Sequence, residues 1–180
     1  MWELLKKLLC GEKRMTIISD EVCMQRLEVN EGLKLEPYRC PAGKLTIGIG
    51  RNLDGNPLSK EEKAYIGHDC RSKGITKDQA YYLCRNDLKQ VKKDLDRELP
   101  WWRELSENRQ FVMIDLCFNM GYKALLTFQK TLNSIAQGFY ITAGDQLMQS
   151  KYAKQTGIRA RRNEYALKTD DWVINPPKEF

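Results

Sequence analysis

The stretch "NEGLKLEPYRCPAGKLTIGIGRN", residues 30–52, holds the change of pattern on which the fold turns. Its first residues finish a helix-like segment. Its last part, "KLTIGIG", alternates Leu45, Ile47 and Ile49 with small or polar residues, which is the period of a half-buried strand. Pro37, Pro41 and Gly43 lie between them and suit a turn. A chain that turns there brings Thr46 back beside Cys40. Glu31 stands at the helix end, next to Leu33 and Leu35, where desolvation favours the protonated carboxyl that a general acid needs.

Outward from that stretch the chain reads as mostly helical. Upstream, Val22, Cys23, Leu27, Val29 and Leu33 fit a helix in part. Downstream, "RNLDGNP" reads as a turn, with Asp54-Gly55 as the signal and Pro57 stopping any ladder. Ser59 to Glu62 and Thr76 to Gln79 match capping boxes, so helices are predicted to start at both. The second is long, with Ala80, Leu83, Cys84, Leu88, Val91 and Leu95 on its apolar face and Pro100 at its end. At about 22 residues it would run roughly 33 Å and could act as a strut between two lobes. "ENRQFVMIDLCFNM", residues 107–120, is apolar nearly all round from Phe111 and belongs at a centre, ended by Gly121. Two or three shorter helices are expected after it, with Thr142 as an N-cap and "NPP" at 175–177 marking the tail.

The predicted fold is α+β, mostly α. Residues 1–20 form an N-terminal extension, about 21–75 a small β-hairpin lobe, about 76–98 the strut, and about 99–172 a helical lobe, in a domain of 21–180. A cleft between lobes is the natural ligand site. The chain has 180 residues, 42% of them hydrophobic, which suffices for a sizeable core. It has no apolar run long enough to span a membrane. "MWELLKKLLCGEKR" reads as an amphipathic segment lying on the domain and lacks the long apolar core of a signal peptide.

The six cysteines show no paired spacing, and reduced thiols in a cytoplasm are the expectation. His68, the only histidine, has no metal-ligand companion, so no metal and no organic cofactor is expected. The net charge of +6 implies attraction to polyanions, nucleic acid or an acidic cell wall. Basic residues are spread along the chain apart from "RARRNE" near 160, which argues against a nucleic-acid-binding face. "TIGIG" lacks the third glycine and the following helix of a dinucleotide loop.

Taken singly, Glu31 reads as a surface residue at a helix end, Cys40 as a small buried hydrophobe and Thr46 as a strand former. As a set they carry a resemblance. "EGLKLEPYRCPAGKLTIGIG" resembles the catalytic segment of the phage lysozymes of glycoside hydrolase family 24, the family of the T-even phage lysozyme. There a Glu is followed after eight residues by an Asp or Cys, and after five more by a Thr. "GITKDQAYYLCRNDL" is similar to the start of the family's interlobe helix. "CFNMG" and "FQKTLNSI" are similar to its helical lobe, and "QTGIRARRNEYALKTDDW" to its closing segment, so the likeness spans roughly residues 24–172.

The resemblance implies a lysozyme-like fold and a muramidase cleaving the β-1,4 bond between N-acetylmuramic acid and N-acetylglucosamine in peptidoglycan. It implies Glu31 as the acid and Thr46 as a holder of water. It implies Arg159 as the cation paired with Glu31, a pairing that opposes the desolvation effect. It implies Phe118, Thr131, Asn52 and Gln146 along the saccharide groove; core packing is the ordinary alternative for Phe118. Cys40 stands where the best-known members have Asp, and could act as a thiolate nucleophile or position water. Transglycosylase chemistry fits the same residue types. Arg51 stands where many members have a His that, in the T-even phage enzyme, pairs with an Asp of the interlobe helix. The matching Asp here is Asp87, so an Arg51–Asp87 pair is expected. The expected partner is peptidoglycan, with no nucleic acid and no stable membrane insertion, and the chain is expected to be a monomer. It would accumulate in a bacterial host cytoplasm and act on the wall after a separate protein permeabilises the membrane. The rival readings are a lysozyme-like module that binds glycan without cutting it and a nucleic-acid binder.

Overall fold

The computed structural model describes residues 16–178. The amphipathic opening segment and Cys10 lie outside the described residues. Helix α1 (Asp20–Glu31) is capped by the Ser19 side chain, which accepts from the Val22 amide, and stops at Gly32. Strands β1 (Lys34–Arg39), β2 (Leu45–Gly48) and β3 (Arg51–Asn52) form an antiparallel sheet in the order β1-β2-β3. Helices α2 (Lys60–Ile66) and α3 (Cys70–Lys73) lead into α4 (Lys77–Glu98). A 3-10 turn, Pro100–Glu104, precedes α5 (Glu107–Met120). Then come α6 (Tyr122–Leu125), α7 (Gln129–Ala136), α8 (Tyr140–Met148), α9 (Lys151–Thr156) and α10 (Ile158–Thr169).

The predicted α+β, lysozyme-like architecture is the observed one. Both capping boxes form in full, at Ser59 with Glu62 and at Thr76 with Gln79. The 22-residue α4 is the strut, and Gly121 ends α5. Several details differ. Arg51 and Asn52 do not open a turn but form β3, and the reversal sits at Ile49-Gly50. Pro37 lies inside β1 and not in the turn. The register slips between Lys34 and Tyr38, the interval holding the residue that cannot donate to the ladder. Thr142 lies inside α8, not at its N-cap, and five helices, not two or three, follow Gly121 among the described residues.

Two apolar cores flank the strut. The smaller gathers Ile47, Leu53, Ile66, Cys70, Ile75, Ala80 and Leu83 under the sheet. The larger surrounds α5, where Phe111, Val112, Met113 and Ile114 are all fully buried. Cys23, Met24 and Leu27 of α1 join this larger core. α1 thus packs with the larger core and not with the cluster under the sheet. Ile18 is buried there too, held by its amide's hydrogen bond to Gln110, so part of the expected extension is core.

The sheet is bolted to the strut by Arg51. Its Nε donates to Asp87 of α4 at 2.7 Å, and its two terminal nitrogens donate to Glu62 of α2 at 3.0 and 2.8 Å. The expected Arg51–Asp87 pair thus exists, with a third member. Glu62 also closes its own capping box onto the Ser59 amide and accepts from Asn86. Burial pushes the Glu62 carboxyl up, but the Arg51 guanidinium, the Ser59 amide and Asn86 outweigh it and bring it down to about 2. Burial pushes Asp87 up, and Arg51 pulls it back only in part.

Removing one member of a buried ion cluster strands the others. Arg51→Ala is expected to cost about 3–5 kcal/mol in a denaturant melt, because two carboxylates lose their cation. A loss below about 1 kcal/mol, the range of a surface pair, would show that the bolt is not structural. Glu62 has a depressed folded-state pKa. Its contribution is present above the unfolded value of about 4.3 and is lost as pH falls towards about 2. The stability deficit of Glu62→Gln against the native chain is therefore largest near about pH 6 and shrinks through that window. A deficit that stays constant down to about pH 2 contradicts the assignment.

Candidate active site

The hairpin turn Cys40–Gly43 is closed by the Gly43 amide donating to the Cys40 carbonyl at 2.7 Å, with Gly43 at φ 75°. Register places Tyr38 opposite Thr46, and the Cys40 amide donates to the Lys44 carbonyl. This folds the Thr46 hydroxyl beside the Cys40 thiol, as the turn residues suggest. α1 delivers Glu31 to the same place from the other side. Gly50, at φ +74°, makes room for it: a Cβ there would come within 3.0 Å of the Glu31 carboxyl.

These residues line one open cleft of about 660 Å³, with Glu31, Cys40, Thr46, Asn52, Phe118, Asn119 and Gln155 among its walls. Phe118 is half-buried, neither fully in the core nor free. A second hollow, sharing Gly50, Asn52 and Phe118, continues along the strut past Asp87 and Gln90. Thr131 and Gln146 are together but elsewhere, in a separate hollow of the helical lobe with Phe128 and Gln149. The structure therefore joins Asn52 and Phe118 to Glu31, and sets Thr131 and Gln146 apart from it.

Glu31 is held by Arg159 of α10, whose Nη1 donates to its Oε1 at 2.5 Å. The rest of that guanidinium is committed to Asp115 of α5, through Nε to Oδ2 at 3.0 Å and Nη2 to Oδ1 at 2.8 Å. Asp115 is 0% exposed and also accepts from Asn30 and Asn163. Burial works against the Arg159 charge, and Asp115 followed by Glu31 outweighs it, holding its pKa above the ordinary value. Asp115 is the buried partner of Arg159 that sequence reasoning missed. Its signal was present: one carboxylate inside a helix apolar all round has to find charged or hydrogen-bonding partners.

Cys40 differs from every other described cysteine. Burial pushes Cys23, Cys84 and Cys117 up to about 12, and pushes Cys70 up as well. The Lys44 amide, with the Ala42 amide and the Thr46 hydroxyl, lowers the Cys40 thiol. Arg39 is not the cause, since it turns away and donates to the Gly43 carbonyl. No group of three or more metal-ligating side chains occurs among the described residues. His68 instead contacts the Gly74 carbonyl at 3.0 Å in the loop before α3.

The chain is similar to known proteins over most of its length. The model of the phage lysozyme family matches residues 28–165. A relative from Dictyostelium discoideum, "Probable T4-type lysozyme 1", is 31% identical over 76% of this chain and 87% of its own length. An "Endolysin" of Acyrthosiphon pisum secondary endosymbiont phage 1 is 31% identical over 72% of this chain and 77% of its own. The "Pre-baseplate central spike protein Gp5" of Enterobacteria phage T4 is 26% identical over 77% of this chain but only 26% of its own length. With Glu31, Cys40 and Thr46 on one cleft inside the matched span, this chain belongs to the phage lysozyme family and is a glycoside hydrolase of the lysozyme type, acting on peptidoglycan.

Proposed function

We propose that the chain is a muramidase cleaving the β-1,4 bond between N-acetylmuramic acid and N-acetylglucosamine, with Glu31 as the acid that protonates the leaving oxygen. The observation that carries this is the shared cleft, in which Glu31 on one wall faces the Cys40–Thr46 pair on the other. Glu31 is fixed by Arg159, and its side chain remains 19% exposed, enough to reach a bound sugar. Cys40 and Thr46 hold the attacking water. Their positions support this role: the thiol and hydroxyl are adjacent, and the hairpin backbone fixes both. Asn52 and Phe118 bind saccharide beside the reacting bond. Thr131 and Gln146, being displaced from it, contact wall material further along the helical lobe.

The biological role we propose is host lysis. It rests on the likeness to a phage endolysin. The five described cysteines are all free, which suits accumulation in a reducing host cytoplasm before a separate protein opens the membrane. No helix of the described residues is long and apolar enough to cross a membrane. A net charge of +6 favours approach to an acidic wall over approach to like-charged partners, and we propose a monomer.

The decisive experiment compares new reducing ends released from purified peptidoglycan by the native chain and by Glu31→Gln. The native chain should release reducing muramic acid ends, and the variant should be slower by at least about 100-fold. No release by either chain, with both still sedimenting with sacculi, would leave a wall-binding module. Cys40 gives a second check. In a Cys10→Ser background, iodoacetamide near about pH 7.5 should label Cys40 ahead of Cys23, Cys70, Cys84 and Cys117, and turnover should fall with labelling. Full turnover after complete labelling would remove the thiol from the reaction.

A further inference from the structure

Arg159 faces two carboxylates, and they share it unequally. Asp115 takes two of its donor nitrogens, Nε and Nη2, and is itself fully buried. Glu31 takes the remaining one, Nη1. Asp115 is further fixed by the Asn30 amide at 2.8 Å and the Asn163 amide at 2.7 Å, so four donors surround it. Asn30 in turn accepts from Arg162, whose Nη1 lies at 2.8 Å. Charge counting gives the consequence. With Asp115 ionised, Arg159 and Asp115 already balance, and the trio with Glu31 is neutral when Glu31 carries its proton. Without the Asp115 charge, the same trio is neutral only when Glu31 has lost it.

We infer that Asp115 is a positioning residue for catalysis: it cancels the Arg159 charge and aims the guanidinium, so that Arg159 can hold Glu31 in place without stripping the proton that the reaction needs. A lone cation at that distance favours the carboxylate and opposes general-acid catalysis. A cation already paired supplies a hydrogen bond with little net field. Arg159 therefore orients Glu31, and Asp115 decides what that orientation costs in acidity.

The other groups around Glu31 leave this assignment standing. Tyr38 of β1 and Cys84 of α4 both feel Glu31, and burial pushes both upward, so they remain neutral through the working range. Cys40 shares the cleft and is lowered, but by its own hairpin and not by Asp115. Its titration is common to all chains compared. Around Asp115, Arg162 and Tyr152 complete the charged and titratable neighbours; burial lowers the first and raises the second.

The inference rests on the muramidase reading, and the test separates the two. Initial rates of reducing-end release are measured from about pH 4 to about pH 9 for the native chain, Asp115→Asn and Asn30→Asp, each only where a melt shows it folded. The alkaline limb of the profile reports loss of the acid's proton. Asp115→Asn is expected to move it down by about one pH unit, because Arg159 is then uncompensated. Asn30→Asp puts a carboxylate facing Arg162 in place of the amide that donates to Asp115, adds negative charge to the cluster, and is expected to move it up. It keeps the question answerable if Asp115→Asn does not fold. Rates that drop equally at every pH, with the limb unmoved in the folded variants, would reduce Asp115 to a structural role and overturn the inference. A native chain with no turnover at all would instead overturn the muramidase reading.

Discussion

The Arg159 guanidinium is where three helices are made to agree. It comes from α10, is gripped from below by Asp115 of α5, and reaches across to Glu31 at the end of α1. Those helices are far apart in sequence, and α1 lies before the sheet. The cleft exists in its present form because α1 packs into the larger core and not into the small lobe, presenting Glu31 from the helical side while the hairpin presents Cys40 and Thr46 from the other. If the Arg159 cluster were replaced by an apolar cluster, the helices could still pack. The Glu31 side chain would then lose the donor that fixes its direction.

The second buried arginine solves a different problem with the same parts. Arg51 also serves two carboxylates, Glu62 and Asp87, but neither lines the cleft that holds Glu31. It fixes the three-stranded sheet, whose third strand is only two residues long, against the strut. Its neighbour in sequence, Gly50, is the residue that allows Glu31 to approach. The bolt therefore acts on the site at one remove. Holding β3 in register holds Gly50 against Glu31 and Asn52 in the cleft wall. A permanently charged guanidinium also keeps this joint intact on the basic side, where a histidine would lose its charge.

Much of this was legible in the sequence because local rules govern it. Both capping boxes are short-range hydrogen-bond patterns, and they formed as written. The period of two in "KLTIGIG" became β2, and Gly121 ended the central helix. The spacing of Glu31, Cys40 and Thr46 carried over to one cleft because a hairpin fixes the last two and a helix end the first. What was not legible depends on long-range company. Asp115 went unread because its partner, Arg159, lies 44 residues on. Thr142 has an N-capping side chain, yet Phe139 occupies the cap because the chain enters α8 earlier, and packing overrides the preference. Thr131 and Gln146 were carried over from a resemblance, which gives position along the chain but not distance from the cleft that holds Glu31.

The thiol in the cleft is the residue least like a lysozyme carboxylate, and its surroundings give it a physical rationale. The four buried cysteines are small apolar fillers whose ionisation burial suppresses, so their chemistry is silent. Cys40 sits at a hairpin turn where backbone amides point at the sulfur and favour its charged form. A carboxylate in the same place would be ionised far below neutral pH. The turn partly closes that gap with hydrogen bonds and no added cation. Amide donors lower the thiol without adding a charge to the cleft.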